Sequence, residues 1–173
     1  NTVQSVIVPT LGVAFAQTTE PACTPGPAIW QLTAGQTIPV GTVTVTNDLT
    51  TLYVTYELTA PNAVLGTLHM WAGTDLTNLP KNPQGIPVPG QFPYQHDATG
   101  ETTYTFEIPL ANVGIVDVTN SCLIPLYIVT HGEVDTNGDE DGGGQTAFGG
   151  PIPGTGPRWW FYGKYCLTCD FLP

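Results

Sequence analysis

Apolar and polar side chains alternate one by one along much of this chain. TLYVTYEL, residues 51–58, puts Leu52, Val54, Tyr56 and Leu58 on one side and Thr51, Tyr53, Thr55 and Glu57 on the other. A period of two is the mark of a strand with one buried face. The same pattern predicts strands over residues 28–33 (AIWQLT), 42–46 (TVTVT), 65–71 (LGTLHMW), 102–108 (TTYTFEI), 124–134 and 158–166. Asn47-Asp48 suits the turn of a hairpin between two of them. No stretch keeps the helical period and no internal repeat is present. Seven such segments between Gly- and Pro-bearing turns predict an all-β domain, a β-sandwich over residues 28–173.

Four stretches lack the alternation. Residues 17–27 (QTTEPACTPGP) read as a proline-rich, extended linker. Residues 73–100 read as a long, ordered surface loop. Residues 132–156, rich in Gly and acid, read as an interruption before the last strand. Residues 1–16 carry no charged side chain, the first being Glu20, and form a segment of their own.

Charge narrows the partners. The net charge is −11, and Lys81, Arg158 and Lys164 are the only Lys or Arg residues. Such a surface repels phosphate backbones and offers nothing to anionic lipid, so nucleic-acid binding is not expected. The longest apolar run, residues 6–16, is broken by Pro9 and Gly12 and is too short to cross a bilayer as a helix. No membrane insertion is expected.

Cys23, Cys122, Cys166 and Cys169 allow two disulfides in three pairings. A redox CLTC pair should open a helix, whereas this one follows the strand-like RWWFYGKY. A four-thiolate zinc site draws on two close pairs, and Cys23 and Cys122 each stand alone. The expectation is two structural disulfides in an oxidising compartment. The position of the linker points to Cys23 bonding either Cys166 or Cys169, with Cys122 taking the other. There is no Asn-x-Ser/Thr sequon.

The strings GTVTVTNDLTTLYVTYEL, LHMWAGTDLTNLP, GQFPYQHD, TTYTFEIPL and LYIVTHGEV, with AFGG and RWWFY towards the end, follow one another in an order that resembles a recurrent bacterial secreted β-domain. That resemblance covers roughly residues 41–134 and implies a cell-surface or extracellular protein that is not an enzyme. The layout of apolar N-terminal strand, linker and sandwich also resembles bacterial fibre subunits that assemble by donating a strand. It implies a jelly-roll-like β-sandwich with an extended N-terminal donor strand.

Residues 1–16 end in Ala14-Phe15-Ala16, which fits a small-x-small cleavage site, yet no basic segment precedes them. We expect the segment to be retained and ordered. Burying Val3, Val6, Ile7, Val8, Leu11, Val13 and Phe15 roughly offsets the entropy of ordering their backbones. Ladder hydrogen bonds must supply the surplus, so the segment needs a groove with open strand edges on both sides. The groove belongs either to its own domain or to the next copy, and the linker reaches both. Exchange between copies gives a head-to-tail homopolymer.

Asp135, Asn137, Asp139 and Asp141 are hard oxygen ligands at alternate positions, the spacing of a calcium loop; the bland reading is a solvated acidic loop. Calcium is the one cofactor this pattern admits. His69, His96 and His131 show no metal-ligand spacing. Ser5 and Ser121 are the only serines, one in the donor segment and one beside a cysteine, which leaves no catalytic serine. Trp159, Trp160, Phe161 and Tyr162 are consecutive and must face both ways in a strand, serving core and subunit interface or stacking on sugar. The expected function is a structural subunit of a fibre on the bacterial cell surface, without enzymatic activity. The alternative is a secreted monomeric module that binds surface glycans or adheres.

Overall fold

The computed structural model describes residues 21–122, 124–137 and 144–170. Eleven strands form among them: β1 (Thr24–Pro25), β2 (Ala28–Ala34), β3 (Ile38–Asn47), β4 (Thr51–Leu58), β5 (Val64–Gly73), β6 (Tyr94–Asp97), β7 (Thr103–Pro109), β8 (Pro125–Asp135), β9 (Gln145–Gly149), β10 (Ile152–Pro153) and β11 (Phe161–Cys166). The protein is all-β. Each of the seven alternating segments forms a strand, with ends shifted by a few residues.

Hydrogen bonding runs without a break along β7-β4-β3-β2-β9-β8, and β8 continues to β5 and β6 on one side and to β11 and β1 on the other. The sheet folds back on itself at β9, which pairs with β2 and with β8. One layer is therefore β7-β4-β3-β2 and the other is β6-β5-β8-β11-β1. Val43, Val45, Leu52, Val54, Tyr56, Phe106 and Ile108 of the first layer meet Leu65, Leu68, Met70, Leu126, Ile128 and Tyr165 of the second in one buried cluster. The Tyr56 hydroxyl crosses the gap and donates to the carbonyls of His69 (3.1 Å) and His131 (2.9 Å).

The second layer is apolar on both faces. Trp71, Val129 and Phe148 point away from the main core into a smaller cluster with Leu79, Phe92 and Trp160. Leu79 and Phe92 come from the proline-rich stretch, which folds over that outer face rather than only skirting the surface. The stretch also contains β6, and the acidic stretch contains the end of β8, β9 and β10, so neither is merely a loop. These strands escape the alternation because they are short and are held by partners far along the chain.

Turns share a local device. Asp48, Asp75, Asp97 and Asp117 each precede a Thr by two residues and accept its backbone N–H at 2.9–3.1 Å. The same carboxylate oxygen accepts the Thr hydroxyl. These Asx turns stop one element and aim the next. Hydrogen bonding holds all four carboxyls below their ordinary range, the Thr hydroxyl being the largest cause for Asp75, Asp97 and Asp117 and the Thr50 N–H for Asp48.

Candidate functional site

The two layers leave one seam without a ladder. Among the described residues β6 pairs only with β5, β7 pairs only with β4, and no backbone hydrogen bond joins β6 to β7. Among the described residues, side chains bridge the gap. The His96 and Tyr104 rings stack at 3.7 Å near the turn that joins the strands, and Tyr94 is hydrogen-bonded to Asn112 farther along. Tyr94 and Tyr104 pack against the main core yet stay only half-buried. Just before β7, the Thr102 carbonyl accepts the Leu58 N–H of β4 at 2.9 Å, which fixes the phase of the ladder. The N–H and C=O groups of Tyr104, Phe106 and Ile108 then face β4, and those of Thr105 and Glu107 face the open seam.

The opposite edge of the second layer is β1, which follows the N-terminal segment in the chain. β1 runs parallel to β11, with Thr24 beside Tyr165 and Pro25 beside Cys166. The Cys23–Cys166 disulfide and a 3.2 Å hydrogen bond from Lys164 Nζ to the Pro21 carbonyl fasten the same stretch. Residues 21–27, read from sequence as linker, are thus part of the sheet edge. The second disulfide, Cys122–Cys169, ties the turn at Val118–Asn120 to the stretch after β11. Two disulfides are what an oxidising compartment outside the cytoplasm permits. No helix among the described residues is long and apolar enough to cross a membrane.

The donor-strand residues Val3, Val6, Ile7, Val8, Leu11, Val13 and Phe15 lie outside the described residues, as do Asp139 and Asp141 of the calcium pattern. Asp135 is buried at the end of β8 and accepts the Asn137 N–H at 2.8 Å, a turn contact like those above. Among the described residues no three His, Cys, Asp or Glu side chains cluster as metal ligands do.

The structure brings together two histidines that spacing did not connect. His69 and His131 are direct partners across β5 and β8, with Nδ1 atoms 3.2 Å apart. His96 stands apart at the seam, 3.6 Å from Glu101. Phe148, opposite His131 on β9, packs its ring against the imidazole at 5.0 Å and against Trp159 at 5.3 Å. These rings, with Thr146, Arg158 and Pro87, line a cavity of about 250 Å³ under the proline-rich stretch. Trp160 lies beneath it, 2% exposed, with Nε1–H donated to the Thr155 carbonyl at 2.8 Å. Gly154 packs directly on the Trp160 ring, where a Cβ would overlap it. The aromatic run thus serves the outer core, and the main core takes Tyr165 from β11 instead.

Burial first, and the neighbouring His69 second, push the His131 imidazole from 6.5 down to about 4. Burial also lowers His69, against the opposing pull of Glu133. An unfolded imidazole takes up its proton near 6.5, whereas the folded one stays neutral until about 4. Stability is therefore complete above 6.5 and declines as pH falls through this window, by about 3 kcal/mol for His131. Urea unfolding at pH 7.5 and pH 4.5 should show that decline, and His131→Gln should flatten it. An unchanged pH profile in the variant would show that His131 is not the group responsible. Comparison with protein-family models, curated proteins and solved structures finds no significant match.

Proposed function

We propose that the chain is the repeating subunit of a bacterial extracellular fibre, a jelly-roll-like sandwich completed by residues 1–16 of a neighbouring copy. The separation between exit and groove carries this reading. A strand filling the β6–β7 seam lies five strand spacings from β1, about 24 Å. With residues 21–25 tethered to β11, the five Cα steps from Ala16 to Pro21 span about 18 Å at full stretch. A path around the packed core is longer still. To lie in its own seam the segment must give up its residues nearest the linker to the crossing, whereas a neighbour's seam imposes no such cost. An isologous swap is disfavoured by the same geometry, since exit and seam lie on opposite edges; the contact repeats head to tail.

Two further observations support it. Thr105 and Glu107 offer outward backbone groups on one wall, which an incoming strand can pair with. GQFPYQHD and TTYTFEIPL, two strings that carry the resemblance to secreted β-domains, form the two walls.

The test is Glu107→Pro. Pro at this position removes an outward N–H and spares the β4 ladder, so the folded domain should lose only about 1 kcal/mol. Negative-stain electron microscopy should show filaments from the wild-type chain and dispersed particles from the variant. Wild-type filaments from Glu107→Pro would exclude this seam as acceptor. Dispersed particles from the wild-type chain would exclude the fibre.

A further inference from the structure

We propose that the cavity beside Trp159 is a binding site for a neutral pyranose residue of a polysaccharide. The site is independent of polymerisation, because it lies on the outer face of the second layer and not at the β6–β7 seam. Its chemistry is divided. Trp159, Phe148 and Pro87 supply apolar wall, and Arg158, Thr146 and His131 supply polar groups on the same rim. A pyranose has the same division, with C–H groups on its faces and hydroxyls on its edge.

Trp159 is held by near-perpendicular contacts to Phe148 (5.3 Å, 84°) and by Phe161 at 6.1 Å, and it remains only half-buried. A ring fixed on two sides and open on another is a stacking platform that costs little entropy on binding. Pro87 and Pro89 stiffen the facing wall for the same reason. Arg158 is exposed, and its guanidinium makes no ion pair or hydrogen bond with another described residue. Its forked N–H donors are thus available to adjacent hydroxyls. The cavity of about 250 Å³ suits one sugar ring rather than a larger ligand.

Other occupants fit less well. An apolar side chain would leave Arg158 and Thr146 desolvated without partners. A polyuronate meets a chain of net charge −11, with Glu133 directly across from Thr146. A neutral glycan avoids both costs.

The full-length protein is to be titrated with cellohexaose, mannohexaose, chitohexaose and hexagalacturonate by isothermal calorimetry, with tryptophan fluorescence alongside. At least one neutral hexasaccharide should bind saturably and the uronate more weakly. Trp159→Ala should reduce that affinity about tenfold or more. Arg158→Gln alters an exposed side chain, leaves the fold intact and should weaken binding several-fold. Near-UV circular dichroism checks both variants. Absence of saturation by every neutral sugar up to about 10 mM overturns the site. So does binding that Arg158→Gln leaves unchanged, and tighter binding of the uronate overturns the choice of a neutral ligand.

Discussion

Removing residues 1–16 is expected to abolish fibres entirely while leaving a folded domain with a vacant seam. The main core is built from described residues: Leu52, Val54, Leu68, Met70, Leu126 and Ile128 are each 0% exposed and pack in one cluster. The truncated protein nevertheless keeps the unpaired edges of β6 and β7, and exposed edges aggregate. A synthetic peptide of residues 1–16 should occupy the seam and return a dispersed monomer, because it carries no further subunit. Mixed into wild-type protein, truncated subunits should cap growing filaments and shorten them. Ile7→Asp is a milder form of the same experiment, since a charge carried into the seam costs several kcal/mol in desolvation. If the wild-type chain stays monomeric at high concentration with residues 1–16 protected from proteolysis, the segment pairs within its own domain and the fibre proposal fails.

The second large effect concerns the Cys23–Cys166 disulfide, which closes a sequence separation of 143 residues. Replacing both cysteines by Ser should cost about 4–5 kcal/mol, the chain-entropy value for so long a loop. It should also change assembly. With the covalent tie gone, β1 keeps only its two-residue parallel ladder and single side-chain hydrogen bonds from Lys164 and Trp30; once these give way the linker is the full stretch of residues 17–27, with a reach of about 36 Å. The whole segment can then enter its own seam, and self-capped monomers should appear beside short fibres. The Cys122–Cys169 pair is the control. It spans 47 residues, so its removal should destabilise by about 4 kcal/mol without altering the linker. Size-exclusion chromatography and urea unfolding separate the two effects. If both double variants shorten fibres equally, stability explains the result and the tether argument is wrong.

Much of the scaffold was legible in residue order because the signals are local. One-sided burial imposes period two, so TVTVT, TLYVTYEL and TTYTFEI announce β3, β4 and β7 without knowledge of their partners. Asp two residues before Thr marks four turns by a hydrogen bond closed within three residues, a local signal that hydrophobic alternation does not carry. LYIV in β8 breaks the alternation because both faces of the second layer are buried.

The candidate sites belong to another level. An open seam exists only where two strands lie together and make no ladder, a property of sheet order that neither β6 nor β7 carries alone. His69 and His131 stand 62 residues apart and become partners through the register of β5 on β8. Phe148, Trp159 and Arg158 form one wall because β9 and the stretch before β11 meet over β8. Residue order by itself determined an all-β chain with its strands, several turns, and cysteines suited to oxidising surroundings. Tertiary structure alone decided the pairing of strands, the edge left open and the cavity left over. Hydrophobic periodicity is set by neighbours along the chain, whereas register and edges are set by contacts whose loop-closure entropy is met only once the whole core forms.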